Sequence, residues 1–203
     1  MSRVATDRIE ITSPKLLLVE GKDEEGVFDA LIKRLPIPEV QIIAYRGKTN
    51  LRHFLGAIVS TPGFDNVLFL GIVRDADDNP EGAMQSLQGA LQDYDLPVPE
   101  TPLKRTGSSP AVTVFVLPGD VRTGMLEDLL WNSVPTSQAS CIATYLECMR
   151  VVSPSSKNRV HAYLASKKDP MRVGEAAQAG IWDFVNPAFK EVKEFLGEAF
   201  PVS

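Results

Sequence analysis

The 203-residue chain has only two cysteines and two histidines, no apolar run longer than a strand, and no surplus of positive charge. Each shortage removes a class of protein. Cys141 and Cys148 lie seven residues apart in a segment that reads as helix, roughly 10 Å along its axis at ~1.5 Å per residue, which is too far for a disulfide. With no CxxC pair and no histidine beside them they do not make a zinc site, and they are expected to be small buried side chains. The longest apolar stretches, Leu16 to Val19 and Val67 to Val73, fall well short of the ~20 residues of a spanning helix. The N-terminal MSRVATDRIEITSPK has no apolar core flanked by small residues, so a cytosolic protein is expected. A formal net charge of −5 argues against a general electrostatic grip on nucleic acid and leaves room only for a local basic groove.

What remains is ordinary for a globular protein: 44% hydrophobic and 23% charged residues, in a chain long enough to bury a core without disulfides. The pattern alternates. Lys15 to Glu20, Val40 to Tyr45, Asn66 to Arg74 and Ala111 to Leu117 read as strands, and Asp23 to Arg34, Asn50 to Ser60 and Glu81 to Leu91 as the helices between them. Continuous apolar strands alternating with helices predict an α/β fold with a mostly parallel four-stranded sheet covered on both faces. Asp23 is the expected N-cap of the first helix, and Pro36 and Pro38 stop it.

Past Leu117 the character becomes helical, with Gly124 to Trp131, Ala139 to Met149, Lys157 to Ala165 and Pro187 to Leu196 as the expected helices. An α/β domain over residues 1–135 with a helical extension over 136–203 follows, the two packed together or forming one domain. Asp95 to Pro110 is the one long candidate loop, a type that is often mobile and functional. Trp182, Phe184, Phe189 and Phe195 are expected in the core. His53 and His161 read as surface residues.

Ligands of an open parallel sheet sit beyond the carboxyl ends of its strands, and there the sequence places acid. Glu20 ends LLLVE, and Asp75 and Asp77 follow the apolar NVLFLGIV as RDAD. Glu24 is four residues beyond Glu20 in the first turn of the next helix, and Glu127 opens a later helix. All five are expected to reach one site. Carboxylates gathered this way raise one another's pKa unless a cation joins them, and an all-oxygen donor set suits Mg2+ or Mn2+. Only Lys22 and Arg74 are adjacent in sequence as alternatives. Gly21 would let the backbone turn sharply or approach a ligand closely. RGKT at Arg46 to Thr49 is not a phosphate loop, because the glycine required earlier in that motif is Ile42 here. Lys157, Arg159, Lys167, Lys168 and Arg172 form a basic concentration that is either a solvated helix face or, if folded over the acidic edge, a hold on a nucleic-acid backbone.

LLLVEGKDE followed by GIVRDADDN resembles the Toprim domain, the metal-dependent module of topoisomerases, primases and OLD-family nucleases. Glu20-Gly21 and Asp75-x-Asp77 match its two motifs. YRGKTNL resembles the G-K-x-N segment found between them in OLD-like members, Glu24 their second glutamate, and Glu127 their further acidic residue. Where many Toprim proteins continue as Asp-x-Asp-x-Asp or with a glycine soon after, this chain has Asp78, Asn79 and Pro80. Nothing in the sequence resembles the ATPase half of an OLD protein or the DNA gate of a topoisomerase, so the resemblance is to a stand-alone Toprim protein over roughly residues 13 to 131.

The resemblance implies a Mg2+- or Mn2+-dependent enzyme acting on phosphodiesters, most simply a DNA or RNA nuclease. One or two ions would be held by Glu20, Asp75 and Asp77 with Glu24 or Glu127. Lys48, Lys104, Lys157 and Lys168 are the candidates for substrate contact or charge stabilisation. Two alternatives stand beside it: a metal-binding module active only with a separate protein partner such as an ATPase, in defence or repair, and a nucleotidyl transferase.

Overall fold

The computed structural model describes residues 9–201; the N-terminal stretch read above for a leader begins outside them. Four strands form one sheet: β1 (Lys15–Val19), β2 (Val40–Ala44), β3 (Phe69–Asp75) and β4 (Ala111–Leu117). Their spatial order is β2-β1-β3-β4 and every pairing is parallel. Between them run α1 (Lys22–Ile32), α2 (Leu51–Val59) and α3 (Pro80–Gln92), followed by α4 (Leu126–Asn132), α5 (Thr136–Cys148), α6 (Ser156–Ala165), α7 (Val173–Gln178) and α8 (Lys190–Ala199). The expected class is therefore observed.

Side-chain alternation along the strands separates two cores. Leu17, Val19, Val73, Phe115 and Leu117 face α1 and the C-terminal helices, while Leu16, Leu18, Leu70, Ile72, Val114 and Val116 face α2 and α3. The chain leaves β1 toward β2 on one side and returns to β3 on the other. That reversal makes the C-terminal ends of β1 and β3 the topological switch point, where an α/β sheet opens a crevice.

The C-terminal helices complete the first core rather than standing apart from it. Trp182, Phe184, Phe189 and Phe195 are buried there, as expected, and Phe195 stacks on Phe115 of β4 with ring centroids 5.3 Å apart. The short helix α7 was not legible in the sequence. It seats against α1 where two glycines meet: a Cβ on Gly26 would lie 2.5 Å from the Gly174 Cα. Asp23 serves this seam instead of capping α1. Its Oδ1 accepts the Gly174 N–H at 3.1 Å, and the N-cap is Gly21, two residues earlier.

One further expectation is corrected. Cys141 and Cys148 are free but exposed, because α5 is an outer helix that buries only Ile142 and Leu146. The loop after α3 makes hydrogen bonds to the body of the fold. Leu103 N–H donates to the Val114 carbonyl at 3.1 Å, Thr106 bridges Val112, and Gln88 Nε2 donates to the Pro99 carbonyl. His53 and His161 are at the surface. Among the described residues no helix is long and apolar enough to cross a membrane.

Candidate functional site

Glu20 follows the last residue of β1, and Asp75 is the last of β3. Continuing the register Leu18↔Ile72 by two residues sets Glu20 opposite Arg74, one position from Asp75. By alternation Glu20 belongs with Arg74 to the α2/α3 side of the sheet, and Asp75 to the α1/α4 side. Both lie at the switch point, where the chain bends at Glu20 and Gly21, so the sheet no longer separates them.

Glu20 Oε2 is buried without a hydrogen-bond partner. Burial raises the Glu20 carboxyl above its ordinary value. The Arg74 guanidinium and the N–H groups of Asp75 and Lys48 pull it back, and the Asp77 carboxylate pushes it further up. An orphaned carboxylate oxygen inside a protein is costly, because the water it has given up is replaced by nothing.

Glu24, on the first turn of α1, is only 9% exposed. Burial raises its carboxyl too, and the nearby charges of Glu20, Glu127 and Asp23 add to the rise. The side chain folds back over Gly21, whose hypothetical Cβ would meet Glu24 Oε2 at 2.9 Å. This changes the reason for the glycine. Its backbone, at φ −140° and ψ −175°, is extended and open to any residue; the absence of a side chain makes room for the Glu24 carboxylate.

Asp75 is displaced furthest. Its carboxyl is pushed up to about 8, first by burial and then by the charges of Glu24, Glu20 and Glu127. One oxygen, Oδ1, accepts the Leu126 N–H at 3.1 Å, which opposes the rise. Glu127, 8% exposed, is the second residue of α4 and has Lys157 Nζ 3.8 Å from its Oε1. The start of α6 is held there by Ser156 Oγ donating to Asp128, which also accepts the Met125 N–H at 2.9 Å.

Asp77 is built differently. Its φ of 49° is left-handed, and it exchanges two backbone hydrogen bonds with Gly124, at 2.8 and 2.7 Å. Its carboxylate is already paired, with Lys48 Nζ 2.8 Å from Oδ2. Lys48 reaches it from the loop after β2, where Arg46 and Gly47 both have positive φ and Gly47 N–H donates to the Glu20 carbonyl at 3.1 Å.

The structure thus brings Glu20, Glu24, Asp75 and Glu127 within electrostatic reach of one another, with Asp77 at the rim. Among the described residues no three His, Cys, Asp or Glu side chains stand in a ready metal-holding group. Of the lysines, Lys48 and Lys157 touch acidic residues of the site. Lys104 lies beside the middle of β4, next to Leu103. Lys168 lies past the C-terminal end of α6, whereas Lys157 is in its first turn. Lys22 is turned to solvent and pairs with Glu25 at 2.7 Å. The rest of the basic concentration is a surface face: Arg159 lies over the Trp131 ring and Lys167 over that of Tyr163. Asp78 is exposed and Asn79 caps α3 by accepting the Gly82 N–H, so neither extends the acidic set.

Sequence reasoning missed Tyr45. It is fully buried, donates its hydroxyl to the Val73 carbonyl at 2.9 Å, and has its pKa raised by burial and by Glu20. The only signal was its position, the last residue of the run read as the second strand, which the structure places just past β2 at the crevice.

The family described as "Protein of unknown function (DUF3226)" matches residues 14–201. The chain belongs to this family. No curated protein matches its sequence. Among solved structures, it is similar to the C-terminal region of the Xanthomonas campestris pv. campestris OLD protein, at 15% identity and a TM-score of 0.49, with 94% of this chain and 95% of that one covered. It is also similar to the C-terminal region of the Burkholderia pseudomallei OLD protein, at 13% identity and a TM-score of 0.41, covering 94% and 90%.

Proposed function

We propose that this DUF3226 protein is a Mg2+- or Mn2+-dependent enzyme that cleaves phosphodiesters in DNA or RNA, with its centre at the ends of β1 and β3. The observation that carries the reading is Glu20 Oε2, buried without a partner beside Asp75, a carboxyl that burial and its acidic neighbours push up to about 8. A fold retains such unfavourable charge where something cationic is to be held.

The donor set fits a hard divalent cation, being all carboxylate oxygen. Glu20, Glu24, Asp75 and Glu127 would hold it. Among the described residues these groups are not already gathered at ligand spacing, so their side chains would have to re-orient to hold it. Asp75 has only its Oδ1 committed, to the Leu126 N–H, and its Oδ2 is available for that role. Binding would displace the Asp75 proton, so affinity rises with pH.

A divalent ion there supplies Lewis-acid polarisation of a phosphodiester and neutralises developing negative charge. The protein supplies the rest. In place of ligating the ion, Glu20, whose Oε2 has no hydrogen-bond partner, would accept a proton from an attacking water. Lys157 Nζ, 3.8 Å from Glu127, offers positive charge where the phosphate becomes more negative. The test is cleavage of labelled DNA and RNA by the wild type, Glu20→Gln and Asp75→Asn with Mg2+ or Mn2+. Loss in both variants is expected; equal activity in all three contradicts the reading.

One surface favours a second reading, a module that acts only with a protein partner such as an ATPase. Tyr145, Met149 and Val152 are 53%, 59% and 89% exposed along and just past α5. An isolated chain that is inert but becomes active with a co-purifying protein supports this reading; activity alone excludes it.

A further inference from the structure

We infer that Lys48 is a resident cation of the centre: it holds the Asp77 side, so that a single divalent ion binds per chain, on the side of Glu20, Glu24, Asp75 and Glu127. The inference rests on the metal reading above and adds to it the division of the five carboxylates.

The pair is not there for stability. Both side chains are substantially exposed, 54% for Lys48 and 36% for Asp77, and ion pairs of that kind contribute ~0–1 kcal/mol. Yet both partners are presented by backbone that costs energy to hold. Asp77 has left-handed φ and is clamped by its two hydrogen bonds to Gly124. Lys48 follows Arg46, which is left-handed at φ 62°, and Gly47, which takes positive φ without steric cost. Strain at Asp77 and two residues before Lys48, with little gain from the pair itself, points to a purpose beyond the pair.

The loop carrying Lys48 is also tied to the centre at three points. Gly47 N–H donates to the Glu20 carbonyl at 3.1 Å, Asn50 Nδ2 donates to the Tyr45 carbonyl at 2.7 Å, and the Lys48 carbonyl accepts from Arg74 Nη1 at 3.4 Å. The ammonium therefore stands on a braced loop beside Glu20. It offers no acceptor, so it repels a second cation and occupies Asp77 Oδ2 at the same time. Among the described residues the four remaining carboxylates have as countercharge Lys157, 3.8 Å from Glu127, and Arg74 acting on Glu20, with Lys48 also within reach of Glu20. That imbalance sets the side on which one divalent ion is taken up.

The test is Mn2+ titration followed by electron paramagnetic resonance of the free ion, on wild type, Lys48→Met and Glu20→Gln, at fixed pH near 8. The inference expects one ion for the wild type. Lys48→Met, which keeps the length and removes the charge, should take up a second ion or bind the first about tenfold tighter, as expected when one like charge at close range is removed and solvent screening is allowed for. Two ions in the wild type, or identical stoichiometry and affinity in wild type and Lys48→Met, overturns the inference while leaving the metal reading standing. No uptake by either protein overturns the metal reading itself. A second ion in Lys48→Met supports the inference most strongly, and its loss in a Lys48→Met/Glu20→Gln double variant places that ion at this centre, whereas uptake by Lys48→Met with none by the wild type overturns the inference.

Discussion

The inner and outer halves of the acidic edge solve the same electrostatic problem in opposite ways. On the outer half Asp77 meets Lys48 at 2.8 Å, in contact with water. On the inner half Glu24 is buried and Glu20 and Asp75 are half-buried, they press on one another, and the carboxyls of all three are raised. A paired surface carboxylate costs the fold almost nothing. Buried, mutually repelling ones cost it stability. The difference separates a group that is satisfied by the protein from groups that are poised for something else.

The strongest way to break this comparison is catalytic. If the inner half does the chemistry, Glu20→Gln should lower Mg2+-dependent cleavage by about 100-fold or more, the size seen when a group acting directly on the reacting centre is lost. A variant within a few-fold of wild type in a steady-state assay moves the chemistry elsewhere.

Next comes the seam that positions Glu24. Gly26→Ala forces a Cβ to within 2.5 Å of Gly174 backbone, and backbone cannot yield as a side chain can. Overpacking of this kind costs ~1–3 kcal/mol, and a lowered thermal midpoint is expected. An unchanged midpoint would mean that α7 does not pack on α1 as described.

The repulsion itself can be measured through pH. The Asp75 carboxyl is raised from an ordinary 3.8 to about 8, so between those values the folded protein keeps a proton that the unfolded chain has lost. Stability contributed by this group therefore falls as pH rises from about 4 to about 8 and is level above that. Asp75→Asn keeps the acceptor for the Leu126 N–H and removes the charge. In a metal-free buffer it should stabilise the protein by up to ~5 kcal/mol at pH 8 and progressively less toward pH 4. Equal stabilisation at both ends of a pH series of denaturation curves would contradict the assigned repulsion.

Smaller effects sharpen the contrast. Gly21→Ala meets only the far end of the Glu24 side chain, so the midpoint should change little while Glu24 is turned aside and Mn2+ affinity falls in calorimetry. Asp77→Asn should change stability by less than ~1 kcal/mol, since it breaks only an exposed pair.

Much of this edge was legible in the sequence because the same residues carry both signals. LLLVE and FLGIVRD are apolar runs that end in acid, so the strand assignment and the site assignment arrive together. The four strands and their parallel order follow from alternation with helices. What stayed hidden depends on contacts between distant segments. Gly174 was unremarkable until α7 was seen against Gly26. Asp23 looked like a cap until its carboxylate was found on the Gly174 N–H. Cys141 and Cys148 were expected inside because cysteine usually is, but α5 buries only a two-residue stripe. Among the lysines, sequence could not separate Lys48 and Lys157, which reach the acids, from Lys104 and Lys168, which lie on other parts of the surface.

The most direct test of the central claim is an anomalous difference map from crystals soaked in Mn2+ near pH 8. The account expects a peak between the Glu20 and Glu24 side chains and Asp75, with Lys48 still on Asp77. A peak elsewhere on the molecule, or none at the ends of β1 and β3, would contradict it.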